Sequence, residues 1–193
     1  MVRLPGAILS AAAILAIFLA ASASVARAQQ PAWQVCFTPG QDCTARIVDE
    51  ISGARASILV QAYSFTSVPI LSALKAAHAR GVDVEVIVDK TSARASKSGS
   101  HYSAATYLTN AGIPVWVDVH VSIAHNKVMV LDGATVITGS FNFTAAAQSH
   151  NAENLLVIRD PQLASKDRAN WESRRVVSVP YVGPGDFGPA AQE

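Results

Sequence analysis

The sequence contains few cysteines, few aromatic residues and few charges for its 193 residues. The two cysteines are too few to build a structural zinc site by themselves. Charged residues make up 15% of the chain and the formal net charge is +1, so the bulk charge does not indicate a nucleic-acid-binding protein. An anionic partner would therefore have to be bound by a local group of basic side chains.

The N-terminal segment, residues 1–28, has the pattern of a secretory signal peptide. Arg3 supplies a short positive region, an uncharged apolar run follows from Ala7 to Ala21, and Ala26-Arg27-Ala28 is a small-x-small cleavage pattern. We therefore expect cleavage before Gln29. An uncleaved N-terminal anchor is the alternative, although the apolar run is short for a membrane-spanning helix.

Export has two consequences for the mature chain. Removal of the segment takes away Arg3 and Arg27 and no acid, which leaves a formal net charge of −1. An oxidising compartment would also favour a disulfide between Cys36 and Cys43, because the intervening Pro-Gly turn can bring their thiols together. Two free thiols are the alternative.

The rest of the chain predicts a single α/β domain over residues 29–180. The stretch SILVQAYSF and the stretch VDVEVIVD are predicted strands, and they flank a helix that starts after Ser67 and ends before Gly81. This strand-helix-strand order favours parallel strands. We expect a mixed, largely parallel β-sheet with helices on both faces, followed by an irregular tail over residues 181–193.

A β-hairpin is predicted between residues 123 and 144, where apolar residues alternate around Asp132-Gly133. Asp-Gly is typical of a two-residue hairpin turn. A turn closed there places residue 127 opposite about residue 138, and residue 125 opposite about residue 140. The hairpin therefore has an approximate predicted register.

Four polar side chains of this hairpin are expected to lie together: His125, Lys127, Ser140 and Asn142. An oxyanion suits such a group best, because the lysine supplies charge and the hydroxyl and amide donate hydrogen bonds. Backbone N–H groups near Gly139 would add donors, since glycine allows a close approach of the backbone. The histidine would be placed to attack phosphorus or to move a proton.

The spacing H-x-K-x4-D-x6-G-S-x-N over residues 125–142 resembles the HKD signature of the phospholipase D superfamily. The stretch VQAYSFTS and the helix after it are similar to the small, exported, single-motif endonucleases of that superfamily. The similarity extends from about Trp33 to Trp171. It implies a phosphodiesterase that works through a phosphohistidine and needs no metal or other cofactor.

The resemblance implies roles for individual residues. His125 would be the nucleophile, and Glu153, which begins a predicted strand, matches the acidic residue that orients it. Asp132 belongs to the signature but lies at the predicted turn, so we expect a structural role for it. The phosphate oxygens would be held by the remaining polar positions, namely Lys127, Gly139, Ser140 and Asn142.

One motif supplies one histidine, whereas cleavage of a phosphodiester also needs an acid for the leaving oxygen. Members of the superfamily use two histidines from two motifs. A symmetric homodimer, with the active site shared across its two-fold axis, would supply a second His125, and small members are built this way. A monomer that uses His120 or His150 is the alternative.

Nucleic acid is the expected substrate, cut without sequence preference. The basic segment KTSARASKSGS offers Lys90, Arg94 and Lys97 with no acid, although a solvated surface loop is an equal interpretation. A phospholipase D that hydrolyses phosphatidyl head groups is the alternative enzyme, and a non-catalytic phosphate- or DNA-binding module is the alternative of another class. The resemblance also favours the periplasm over full secretion.

Overall fold

The computed structural model describes residues 32–93 and 103–183. The predicted signal peptide with its cleavage site, Arg94 and Lys97 lie outside the described residues, as does most of the predicted tail. Residues 181–183 follow the last strand and belong to no helix or strand. Within the described ranges, no helix is both long and apolar enough to span a membrane.

Helices and strands alternate along most of the described chain. In order they are β1 (Trp33–Thr38), α1 (Cys43–Gly53), β2 (Ser57–Ala62), α2 (Val68–Ala79), β3 (Asp83–Asp89), α3 (Lys90–Ala93), α4 (Ala104–Asn110), β4 (Val115–Asp118), β5 (Lys127–Leu131), β6 (Thr135–Gly139), α5 (Ala145–Ser149), β7 (Glu153–Arg159), α6 (Pro161–Val177) and β8 (Val179–Pro180). Side chains that accept from backbone N–H groups begin α1, α4, α5 and α6, and these caps are Asp42, Ser103, Thr144 and Asp160.

The described strands form one mixed sheet in the order β1-β7-β6-β5-β2-β3-β4-β8. This confirms the predicted α/β fold with a mixed sheet. The balance within the sheet differs from the largely parallel one expected, because among the described strands only the β2–β3 and β3–β4 pairs are parallel. A parallel pair needs a crossover such as α2, whereas the tight β5–β6 turn can only reverse the chain.

Helices cover both faces of the sheet, as predicted. On one face α1, α2 and α4 pack over the larger core, which includes Ile47, Leu74 and Leu108. On the other face α6 packs against β2, β3, β5 and β6 through Ala164 and Trp171. The Trp171 indole N–H also donates to the Val60 carbonyl at 2.9 Å, which fixes the helix to the middle of the sheet.

The structure joins Cys36 and Cys43 in a disulfide, with Cα atoms 5.7 Å apart. Both residues are buried in the larger core. The bond ties β1, an edge strand, to the first turn of α1. This is the pairing expected from the sequence.

The β5–β6 hairpin has the predicted turn but not the predicted register. Asp132-Gly133 has positive φ at both residues, and the Ala134 N–H donates to the Leu131 carbonyl at 3.0 Å. The strand pairing nevertheless places Val128, not the residue before it, opposite Thr138. The predicted register is therefore wrong by one residue, because Ala134 is an extra residue on the β6 side of the turn.

Asp132 holds this turn to the start of β2. Its carboxylate accepts backbone N–H groups of Arg55, Ala56 and Ser57 over 2.7–3.2 Å, and its own N–H donates to the Ser57 carbonyl. Burial alone would raise the pKa of this carboxyl, but the backbone hydrogen bonds outweigh it and hold the pKa below its ordinary value. Asp132 thus serves the fold, at the end of β5 away from His125.

Gly139 ends β6 where the backbone of β7 comes unusually close. Its φ is 147°, and a Cβ atom there would lie 2.2 Å from the carbonyl oxygen of Asn154. The close approach is therefore to a neighbouring strand, which is a different reason for glycine from the ligand contact expected from the sequence. A role for its N–H group in phosphate binding stays a prediction.

Replacing Gly139 by Ala should lower the free energy of unfolding by about 3 kcal/mol or more, because the β6 or β7 backbone must move. Urea denaturation followed by circular dichroism measures this. Gly53→Ala is the matched control, since a Cβ at Gly53 has nothing within 4 Å. Equal unfolding midpoints for the two variants would contradict the steric argument.

Candidate active site

The motif residues meet at one end of the sheet. β5 is antiparallel to both β2 and β6, and β6 is antiparallel to β7. The start of β5, the end of β6 and the start of β7 therefore lie side by side. His125 precedes β5, Lys127 begins it, Ser140 follows β6 and Glu153 begins β7. The structure thus brings together the residues that the sequence pattern predicts.

His125 and Lys127 form the centre of this group. The Lys127 Nζ atom lies 3.2 Å from His125 Nε2 and donates to the His125 carbonyl oxygen at 2.9 Å. His125 is exposed, whereas Lys127 is only 7% exposed. An ammonium group can only donate, so Nε2 can accept from it in the tautomer whose proton is on Nδ1. The ring nitrogen Nε2 of His125 and the positive charge of Lys127 therefore lie next to each other.

The buried position of Lys127 changes its acidity. Burial lowers the pKa of the ammonium below its ordinary value, while the charge of Glu153 opposes this shift. An anion bound beside the ammonium would raise the pKa of Lys127, as the charge of Glu153 does. The binding of an anion would therefore stabilise the charged lysine.

Within the described ranges, Glu153 is hydrogen-bonded to Ser140 and Asn151, and not to the predicted partner His125. Its carboxylate accepts from Ser140 Oγ at 2.6 Å and from Asn151 Nδ2 at 2.9 Å. Across the described residues of this single chain it does not accept from His125, so the expected orienting contact is not made here. Ser140 and Asn151 flank the same β6–β7 connection as Glu153, which places them closer to its carboxylate. The catalytic role of Glu153 stays a prediction.

Asn142 lies on a loop held by two aromatic anchors. Phe141 and Phe143 are buried, as their alternation predicts, and Phe143 packs edge-to-face against Phe65 with ring centroids 5.6 Å apart. The Asn142 Oδ1 atom is buried without a hydrogen-bond partner in the described part of the chain. Buried polar atoms without partners are rare in folded proteins. Within the described residues, one hydrogen-bond acceptor of Asn142 is therefore unused.

The loop that carries His125 is held by the end of β3. The buried carboxylate of Asp89 accepts the Ala124 N–H at 2.8 Å, and Lys90 Nζ donates to the Val121 carbonyl at 3.0 Å. Lys90 is therefore buried and structural, and its predicted place in an exposed phosphate-binding segment is wrong. Sequence reasoning missed Asp89, although an acid at the end of a buried strand is a usable signal.

Among the described residues, neither of the other candidate histidines is hydrogen-bonded to the motif residues. His120 donates its backbone N–H to Asp118 Oδ1, and His150 donates its backbone N–H to the Ala146 carbonyl. No side-chain hydrogen bond joins either residue to His125 or Lys127 in the described ranges. Residues 32–93 and 103–183 also contain no group of three or more His, Cys, Asp or Glu residues suited to a metal ion.

A family model described as "Cardiolipin synthase, PLD-like domain" matches residues 47–174. The chain belongs to the phospholipase D superfamily. The matched range contains the motif and Glu153, so the site described above lies inside the shared domain. The protein is accordingly a phosphodiester hydrolase of this superfamily.

Individual relatives support the same assignment. The chain is 46% identical over 140 residues to "Phospholipase D" of Rickettsia bellii (strain RML369-C), which covers 72% of this chain and 67% of that protein. It is 32% identical over 133 residues to "Mitochondrial cardiolipin hydrolase" of Canis lupus familiaris, covering 68% of this chain and 50% of that protein. A solved phospholipase D family member, Nuc from Salmonella typhimurium, is 37% identical, with a TM-score of 0.69 over 77% of this chain and 97% of Nuc.

The rate of diester cleavage should fall with rising pH earlier than for an ordinary lysine. Lys127 must keep its proton to hold a phosphate oxygen, and burial lowers its pKa, so the proton is lost at a lower pH. The pH profile of kcat/KM on bis(p-nitrophenyl) phosphate measures this.

Lys127→Arg is the matched variant, because a guanidinium stays charged over the whole range. It should be slower than the parent but lack this alkaline fall. The same alkaline fall in both proteins would assign it to another group.

Proposed function

We propose that the protein is a metal-independent, non-specific endonuclease that cleaves DNA or RNA through a phosphohistidine on His125. The observation that carries the proposal is the exposed imidazole, with Nε2 3.2 Å from the buried Lys127 ammonium. His125 is exposed at this end of the sheet, where a long polymer could pass its backbone phosphate across the imidazole. Non-specific cutting suits such a site, since backbone contacts carry no sequence information.

In the first chemical step His125 Nε2 attacks phosphorus, and the bond from phosphorus to the leaving oxygen breaks. The leaving oxygen takes a proton from an acid. Water then attacks the phosphohistidine and gives a proton back to the group that acted as the acid, which releases a phosphomonoester and restores both the imidazole and the acid. Lys127 and the Asn142 amide would stabilise the charge that develops on the non-bridging oxygens.

Ser140 needs a small rearrangement to take part. Its single hydroxyl proton is directed at Glu153, and its oxygen accepts the Asn154 N–H at 3.0 Å. The O–H would have to turn from the carboxylate to a phosphate oxygen. Glu153 would then be left with an accepting position for another donor near the site.

A homodimer would supply the acid. One described chain contributes one histidine to the site, and His120 and His150 make no side-chain hydrogen bond to it. A two-fold axis close to His125 would place the partner's His125 on the other side of the phosphorus.

Export to the periplasm completes the proposal. The Cys36–Cys43 disulfide supports an oxidising compartment, where such bonds persist. The predicted signal peptide over residues 1–28 gives the route.

A phospholipase D is the second candidate. Ile123, two residues before the nucleophile, and Val68 at the start of α2 are 57% and 66% exposed. Exposed apolar side chains near a site favour contact with a lipid surface. The names of the Rickettsia and canine relatives point in the same direction. A non-catalytic binding module is disfavoured, because His125, Lys127 and Glu153 are all present.

The mature protein should nick supercoiled plasmid in excess EDTA, and His125→Ala should lose at least about 10³-fold of that activity while remaining folded. Gel electrophoresis measures nicking. Lys166→Ala is the surface control. The same preparations are assayed on vesicles of phosphatidylcholine and cardiolipin. Head-group release without nicking would replace the nuclease by the phospholipase.

If the two subunits share one active site, a His125→Ala substitution in one subunit should inactivate the whole dimer. A mixed dimer of wild type and His125→Ala, purified through two different affinity tags, should be slower by about 10²-fold or more, because it lacks the acid. Plasmid nicking measures its rate beside each parent dimer. Half of the wild-type rate in the mixed dimer, or full activity in a monomer by light scattering, would refute the shared site.

A further inference from the structure

An aromatic ring lies against both reactive groups of the site. The ring of Tyr63, which follows β2, has its centroid 4.6 Å from that of the His125 imidazole, with 54° between the two planes. The Lys127 Nζ atom lies 5.2 Å from the same ring centroid. Tyr63 thus contacts the nucleophile and the buried cation at once.

The backbone of Tyr63 is fixed from two directions. Its N–H donates at 2.8 Å to the carbonyl of Asn126, the residue between His125 and Lys127. Its carbonyl accepts from Ser92 Oγ on α3 at 2.5 Å. The backbone of Tyr63 is therefore hydrogen-bonded directly to the segment that carries both reactive groups.

Contact with an aromatic ring can orient the His125 imidazole and stabilise the Lys127 ammonium. His125 is exposed and lies before the first residue of β5, so its ring is not packed within the sheet. Lys127 is buried, and an aromatic face attracts a desolvated ammonium. The other charged or titratable groups near this ammonium are His125 itself and Glu153 on β7.

We propose that Tyr63 is a positioning residue for phosphodiester cleavage, whose ring sets the orientation of the His125 imidazole against Lys127. The inference rests on the proposed role of His125 as nucleophile. The ring, not the hydroxyl, carries this role, because no hydrogen bond engages the Tyr63 hydroxyl within the described ranges. The substrate is not contacted by Tyr63 in this role.

Substitutions that keep or remove the ring test the proposal. Tyr63→Phe should retain kcat within about 2-fold, whereas Tyr63→Leu should lose about 10-fold or more in kcat with little change in KM, because orientation and not binding is lost. Initial rates on bis(p-nitrophenyl) phosphate and on plasmid are measured for both.

Tyr107→Leu is the matched control. The ring of Tyr107 lies 5.8 Å from the Lys75 Nζ atom, in α4 and α2, outside the site. Its loss removes the same kind of ring-cation contact and should leave kcat unchanged. An equal loss of kcat in Tyr107→Leu, or an equal loss in Tyr63→Phe, would overturn the positioning role.

An NMR measurement that does not depend on catalysis tests the Tyr63 proposal separately from the proposed nuclease function. The ring protons of His125, assigned in the NMR spectrum with His125→Ala, should show a ring-current shift that Tyr63→Phe keeps and Tyr63→Leu loses. Identical His125 shifts in all three proteins would sink the Tyr63 proposal whatever the substrate. Absence of plasmid nicking, with these shifts and the kcat difference on the small diester as expected, would sink only the nuclease.

Discussion

The burial of one ammonium group is the constraint on which the active site depends. Lys127 begins β5 opposite Ala62, and it is 7% exposed. A buried charge costs free energy unless polar partners surround it. The His125 carbonyl, the His125 ring and the Tyr63 face meet that need in the free protein. In the proposed function, a phosphate would replace these uncharged partners by a full charge while the lysine stays in place, which is the advantage of an electrostatically preorganised site.

The mixed sheet gives this arrangement its geometry. In the antiparallel half, the start of β5, the end of β6 and the start of β7 lie side by side at one end of the sheet. This end carries the reactive groups. The parallel half, β2 to β4, ends at the same edge and supplies Asp89 and Lys90, which hold the His125 loop through Ala124 and Val121. The antiparallel half therefore carries the reactive groups, and the parallel half holds the loop on which His125 lies.

The sequence was sufficient to predict the α/β fold, the mixed sheet, most helices and strands and the set of motif residues, because alternation and spacing are local properties. It did not predict that Ala134 adds a residue to the hairpin, since the polarity pattern is the same with or without it. It also misassigned Lys90. A basic residue in a polar stretch looks exposed until the fold brings the Val121 carbonyl to it, and that contact spans 31 positions.

The proposed two-fold symmetry has a chemical consequence. A phosphodiester has two ester oxygens, and either can leave. In a symmetric site each His125 faces one side of the phosphorus, so either can act as nucleophile while its partner acts as acid. The reactive groups themselves then cannot choose which ester bond breaks. That choice must come from how the rest of the substrate lies along the surface around the site, where exposed residues such as Ile123 and Val68 are found. Under the proposed symmetry, substrate class and cleavage direction would therefore be set by the surface around the site, and the HKD residues would determine only that a diester is cut.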